Sequence, residues 1–354
     1  MKFLHIADLH IGKSVNGFSM LEEQRNIFKQ LIAYIKIKEP QAVLIAGDVY
    51  DRAVPGVEAV RLFDDFLTEL AGLDIIVMII AGNHDSQERL GYASRLLAGK
   101  NIYFGGNIKF ADEYGEINFR LIPFARLAGD CPEIFDFPEI DYNTRNVILA
   151  HQFFGSGGML PVLSDSEINP VGGLDALDAN VLANFDYAAL GHLHRAQHIL
   201  NNNIRYAGSP LKYSFSEVNH EKSATLVELR EKNNINIELL PLTPIHDMRE
   251  IRGELDDLVS AEPSLDYLRV ILTDESEIID PMGKIRAVYP NAMTLEFENA
   301  RVNFDFAGIS ENAVDIEKLS PFELFGEFFL ESRGFAMSEE QERIMREILS
   351  DAEM

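Results

Sequence analysis

The stretch KFLHIADLHIGKSVNGFSMLEEQRNIFKQLIAYIKIKEPQAVLIAGDVYDR, residues 2–52, decides the fold. Phe3 to Ala7 is a short apolar run of strand length. Leu21, Ile27, Phe28, Leu31, Ile32 and Ile35 then recur at helical spacing and stop before Pro40, which cannot continue a helix. Ala42 to Ala46 is apolar again, so the stretch reads as strand, helix, strand. Both strands run into turns rich in chemistry, Asp8-Leu9-His10 and Gly47-Asp48-Val49-Tyr50-Asp51. A second unit follows, with Val57, Val60, Leu62, Phe63, Phe66, Leu67 and Leu70 in helical register before the strand Ile75 to Ile80. Strands this continuously apolar predict a sheet covered on both faces.

Beyond residue 101 the texture changes to short strands with turns between them: Ile117–Ile122, Asn146–Ala150, Tyr187–Leu190, Ile204–Ala207, Thr225–Leu229 and Ile235–Leu240. The two halves together predict an α/β fold of two mixed β-sheets packed face to face with flanking helices. Pro241 to Glu262 is charged and holds two prolines; after it, strand Tyr267–Leu272, helix Glu277–Val288 and strand Ala292–Phe297 read as a small βαβ module. Ser320-Pro321-Phe322-Glu323 and Ser338-Glu339-Glu340-Gln341 are capping boxes that predict two C-terminal helices. The expected domains are therefore residues 1–245, 263–300 and 320–354.

Composition bounds the function. The 354 residues carry a net charge of −26, and residues 201–354 alone hold 15 Lys and Arg against 31 Asp and Glu, so 16 of the excess negative charges lie there. Such a chain does not coat nucleic acid or anionic membrane by bulk charge, and an anionic substrate must be held locally. The single cysteine, Cys131, excludes an internal disulfide and a cysteine-rich metal site and fits a reducing compartment, so a cytoplasmic location is expected. The N-terminus lacks signal-peptide features, and the longest apolar run, Ile75 to Ala81, is too short to span a bilayer; no membrane association is expected.

Five motifs stand at the carboxyl ends of predicted strands: Asp8-Leu9-His10, Gly47-Asp48-Val49-Tyr50-Asp51, Gly82-Asn83-His84-Asp85, His151, and Gly191-His192-Leu193-His194. Singly, each reads as an ordinary turn. Jointly they gather five of the nine histidines at the strand ends where ligands bind in open α/β sheets. His5, His198, His220 and His246 lack that context and read as structural. A set of Asp, Asn and His without cysteine suits Mn²⁺, Fe²⁺, Zn²⁺ or Mg²⁺, and it exceeds the needs of one ion. Two ions bridged by a carboxylate form the usual clamp for in-line displacement at phosphorus, which predicts phosphoester hydrolysis by activated water. His84 is the candidate to stabilise the transition state or protonate the leaving oxygen, with Asp85 orienting its ring. Lys13, Arg52, Arg89, Arg195 and Lys212 are candidate phosphate contacts.

In that order the motifs resemble the calcineurin-like metallophosphoesterases across roughly residues 1 to 240. Within them the chain resembles the SbcD family, the nuclease subunits of bacterial SbcCD complexes, on Lys2 to Gly12, on Tyr206-Ala207-Gly208-Ser209-Pro210 with Phe215-Ser216-Glu217, on the small module, and on Ser320-Pro321 through Phe325 and Phe329. The resemblance implies one metal held by Asp8, His10, Asp48 and His194, and a second by Asp48, Asn83, His151 and His192, most plainly Mn, with Asp48 bridging and His84 catalytic. It implies a DNA exonuclease and endonuclease acting on double-strand ends and hairpins, 3′ to 5′. The small module would be a capping domain. The terminal helices would dock on an SMC-like ATPase subunit, SbcC, and two nuclease subunits would pair within a heterotetramer. Two rival readings remain: a phosphoprotein phosphatase or cyclic-nucleotide phosphodiesterase, since Gly47-Asp48-Val49-Tyr50-Asp51-Arg52 partly matches the phosphatase pattern although Ala53 stands where that pattern has Gly, and a scaffold that has lost its metals.

Overall fold

A computed structural model of the chain describes residues 1–125, 135, 140–155, 161–165, 167, 176–276, 278–298, 322, 325, 326, 329 and 337–352. It divides into two units, Met1–Met248 and Arg249–Met354. In the first unit, β1 (Lys2–Ile6), α1 (Leu21–Lys38), β2 (Ala42–Ala46), α2 (Val57–Gly72), β3 (Ile76–Ile80) and β4 (Ile102–Phe104) are followed by β5 (Gly106–Asp112), β6 (Gly115–Ile122) and β7 (Arg145–His151). Then come β8 (Tyr187–Gly191), β9 (Gln197–Ile199), β10 (Asn201–Tyr206), β11 (Ser223–Leu229) and β12 (Ile235–Pro241).

These strands build two six-stranded sheets, β12-β11-β1-β2-β3-β4 and β9-β10-β8-β7-β6-β5. Both are mixed. In the first, β1 to β4 are parallel while β11 runs antiparallel to β1; in the second, β6, β7, β8 and β10 are parallel and the edge strands β5 and β9 antiparallel. The sheets pack face to face on one core holding Phe3, Leu44 and Met78 of the first with Phe119, Val147, Leu149 and Tyr187 of the second. Phe3 meets Phe119 edge-on with ring centroids 5.9 Å apart and Tyr187 at 5.6 Å. Burying one such ring contributes about 1.5–3 kcal/mol. Helices α1 and α2 present apolar stripes, and Phe28 of α1 stacks on Phe66 of α2 with centroids 4.4 Å apart.

Arg145, at the start of β7, ties the two sheets at the end opposite the motifs. Its guanidinium is buried and donates to both Asp112 carboxylate oxygens and to the Gly115 carbonyl of the second sheet, and to the Leu229 and Arg230 carbonyls at the end of β11 in the first. A buried cation with five acceptors is costly to remove because its partners are left unpaired. Arg145→Ala is expected to lower the unfolding free energy by about 3 kcal/mol, measured by urea denaturation; a change within experimental error would show that the acceptors are satisfied without it.

In the second unit, β13 (Met248–Gly253), β14 (Tyr267–Leu272) and β15 (Ala292–Phe297) form a three-stranded sheet carrying α3 (Leu255–Ser260) and α4 (Pro281–Val288). Leu255, Leu268, Val270, Leu272, Ile285 and Tyr289 make its core. The expected βαβ module is thus enlarged by a strand and a helix from the stretch read as a charged connection, and α4 starts at Pro281, capped by the Asp280 carboxylate on the Gly283 amide, rather than at residue 277, which lies outside the described residues. A final helix, α5 (Glu339–Ala352), has the expected capping box: the Ser338 amide donates to Gln341, and the Gln341 amide to the Ser338 hydroxyl. The helix expected from Ser320 lies outside the described residues apart from Phe322, Phe325, Gly326 and Phe329; Arg346 of α5 stands over the Phe322 ring, 3.7 Å from its centroid. Among the described residues no helix is long and apolar enough to cross a membrane.

Candidate metal centre

Parallel pairing puts the carboxyl ends of β1, β2 and β3 side by side, and those of β7 and β8 likewise. The two edges meet where His151, the last residue of β7, donates from Nδ1 to the Ala46 carbonyl at the end of β2 (2.7 Å). The backbone turns sharply there. Asp8, His10, Asp48 and His192 have φ of 53°, 43°, 48° and 106°, a region non-glycine residues rarely occupy at a cost of about 1–3 kcal/mol each. Cross-strand bonds hold these turns: Asp8 N–H to the Gly47 carbonyl (3.1 Å), His10 N–H to the Asp48 carbonyl (2.9 Å), and His192 N–H to the Asp8 carboxylate (2.9 Å).

The side chains so placed converge. Asp48 Oδ2 lies 3.4 Å from His151 Nε2 and 3.6 Å from His10 Nε2, while its Oδ1 accepts the His84 amide (2.8 Å). His10 Nε2 faces His194 Nε2 at 3.1 Å. Asn83 Oδ1 is 3.0 Å from both His151 Nε2 and His192 Nδ1. All seven residues expected as ligands therefore stand at one place, five of them with no more than 3% of their surface exposed: Asp8, His10, Asp48, His151 and His194. Two clusters, His10-Asp48-His84 and Asp8-Asp48-His151, each bring their ligand atoms within 4.8 Å of one another. They share Asp48 and are positioned to coordinate divalent metal ions.

The donor set fits such ions. His151 spends its Nδ1 hydrogen on Ala46, so Nε2, which faces both Asp48 and Asn83 Oδ1, is the nitrogen left to hold a proton or a metal ion. The Nε2 atoms of His10 and His194 face each other at 3.1 Å, close enough to share one hydrogen or to hold one cation between them. Asp8 Oδ2 is buried with no hydrogen-bond partner among the described residues. Burial holds His10 well below its ordinary pKa and, with His151, brings His192 down to about 3, leaving both neutral as ligands must be. Burial raises Asp8 to about 7. Burial also opposes a charge on His151, but the Asp48 and Asp8 carboxylates outweigh it and raise His151 to about 9; against the same burial, His151 and His10 hold Asp48 low. A proton held this tightly among buried carboxylates occupies the place a divalent cation would fill.

His84, a member of the first cluster, sets its ring edge-on to His10 with centroids 4.8 Å apart. Asp85 does not orient it. The Asp85 carboxylate accepts the amides of Val49, Tyr50 and Gly82 (3.0, 2.9 and 2.9 Å), stitching the second motif to the third, because a carboxylate at the head of a turn is captured by the nearest free N–H groups. The His84 Nδ1 instead meets the carbonyl of Asp51 at 2.9 Å. Asp51, the last residue of its motif, also pairs with Lys13 (2.9 Å). Of the candidate phosphate contacts, Lys13 and Lys212 are engaged by Asp51 and Asp247, and Arg89 by the Ala53 carbonyl; Arg52 and Arg195 are exposed.

A family model described as calcineurin-like phosphoesterase matches residues 1–196, and one described as type 5 capsule protein repressor C-terminal domain matches residues 244–333. The chain is 31% identical to SbcD, the nuclease SbcCD component of that name, from Staphylococcus epidermidis, over 99% of this chain and 98% of that protein, and 29% identical to its namesake in Staphylococcus saprophyticus over the same shares. A dimetal phosphatase structure from Danio rerio aligns at 12% identity and a TM-score of 0.40, covering 69% of this chain and 97% of that one. With the two-sheet fold and the shared-carboxylate cluster at its strand ends, the chain belongs to the calcineurin-like metallophosphoesterases, in the SbcD family of nuclease SbcCD components.

Proposed function

We propose that this chain is a manganese-dependent DNA phosphodiesterase, the nuclease subunit of an SbcCD-type repair and recombination complex in the cytoplasm. It cleaves at double-strand ends and hairpins, acts 3′ to 5′ as an exonuclease, and works as a pair of nuclease subunits with an SMC-like ATPase. The observation that carries this reading is similarity to a named nuclease component over 99% of the chain, spanning both structural units and not only the phosphoesterase core. A general phosphatase has no need of the second unit, which we read as a capping domain for DNA, nor of the terminal helices, which we read as the ATPase-docking segment.

Two divalent ions at this centre supply Lewis-acid polarisation of a phosphoryl group and an acidified water. In the proposed assignment Asp8, His10, Asp48 and His194 hold one ion and Asp48, Asn83, His151 and His192 the other. Asp48 would serve both ions because it is the residue that the two clusters share. His84 keeps its Nδ1 hydrogen on the Asp51 carbonyl, which leaves Nε2 as the nitrogen able to take up and release a proton, in the role of acid to the departing oxygen. The carbonyl fixes the ring without charging it. His84→Gln is accordingly expected to keep both ions, measured by elemental analysis, and to lose cleavage by about 10²–10⁴-fold; loss of an ion would make His84 a ligand instead.

The test of the function is digestion of end-labelled linear and hairpin duplexes, with and without Mn²⁺, by the chain alone and with its ATPase subunit. Metal-dependent release of mononucleotides and hairpin opening are expected. Activity confined to phosphoproteins or small phosphodiesters would replace this reading with the phosphatase one.

A further inference from the structure

Behind His194 lies a buried polar network that the metal chemistry above does not use. His194 Nδ1 is 3.1 Å from Glu217 Oε1, and Lys222 Nζ donates to Glu217 Oε2 at 2.6 Å. The same ammonium donates to the Ser209 hydroxyl (2.8 Å) and the His194 carbonyl (2.9 Å). Glu217 is fully buried and Lys222 is 8% exposed. A buried ion pair of this kind rarely adds stability over apolar side chains of the same size, so its presence asks for another reason.

We propose that Glu217 and Lys222 are positioning residues that lock His194 in the tautomer competent to bind a metal ion. A carboxylate only accepts, so the bond from His194 to Glu217 fixes the ring hydrogen on Nδ1. That leaves the lone pair on Nε2, the atom 3.1 Å from His10 Nε2 and turned into the centre. Lys222 in turn donates to the second Glu217 oxygen, which fixes the rotation of the carboxylate. Glu167, which accepts the His194 amide, pins the backbone of the same residue. Partners of this kind behind a ligating histidine typically change metal affinity by about 10–100-fold. The inference rests on the dimetal reading and assigns a part of it to residues far from the strand-end motifs.

The experiment is Mn²⁺ titration by calorimetry on the full chain, together with ¹⁵N NMR of the histidine rings in metal-free protein. Wild type is expected to bind two ions and to show His194 protonated at Nδ1. Glu217→Gln is expected to weaken one of the two sites by about 10–100-fold and to give a mixed tautomer signal. Because that variant strands the Lys222 charge, Glu217→Leu combined with Lys222→Met is measured beside it. This apolar pair is expected to unfold, without metal, close to the wild-type temperature and still to bind one ion weakly. Wild-type affinity at both sites in the paired variant, or an unchanged His194 signal, would overturn the inference while leaving the dimetal reading intact. A wild type that binds no ion would overturn the dimetal reading itself.

Discussion

Asp48→Asn is expected to empty both metal sites and reduce phosphoesterase activity by roughly three orders of magnitude or more, with little change in fold. Asparagine retains the oxygen that accepts the His84 amide, so the turn survives. What disappears is the charge facing His151 and His10 and common to both clusters. Lewis-acid assistance is worth several kcal/mol, and each ~1.36 kcal/mol is about tenfold in rate, which sets the magnitude. The check is metal content by elemental analysis alongside initial rates on a labelled duplex. A variant that holds one ion firmly and keeps about a tenth of the activity would show that the two sites are independent, with no bridging carboxylate.

Gly191→Ala is expected to be severely damaging for the addition of a single methyl group. A Cβ at residue 191 would overlap the Ala46 carbonyl oxygen and lie 2.7 Å from His151 Nδ1. Here the two sheets touch, backbone against backbone, where His151 donates to Ala46. Relief requires the sheets to part at that edge, and overpacking of a rigid contact costs about 3 kcal/mol or more. The variant should therefore unfold at markedly lower denaturant and lose metal affinity together, because the displaced group is a ligand. Unchanged metal binding in a destabilised protein would separate the packing role from the site.

The two effects share a cause that also explains what the sequence discloses. β1, β2, β3, β7 and β8 are buried on both sides, so their apolar runs stand out and their ends are readable to within a residue or two. The chemistry sits at those ends, which is why the seven residues can be named before any geometry. β5 is fainter: Gly106–Asp112 is an edge strand whose residues are all partly or fully exposed, and its alternation rests on Ile108 and Phe110, which are only partly buried against the core. β13 is hidden likewise by the charges of Arg249, Glu250 and Arg252, which pair along the sheet surface of a small unit with little interior. Adjacency in sequence suggests that Asp85 meets His84, but successive residues in a turn point apart and the carboxylate is drawn to three amides. Lys222 carries no signal at all. Its meaning comes from Glu217 and His194, 5 and 28 residues away in the chain.

The most direct test of the central claim, that one carboxylate joins two divalent ions at this edge, is anomalous diffraction at the manganese edge from crystals grown in Mn²⁺. Two peaks about 3.5–4 Å apart are predicted, with Asp48 between them, His10 and His194 on one side and His151 and His192 on the other. A single peak that Asp48 does not touch, or none among these strand ends, would contradict it.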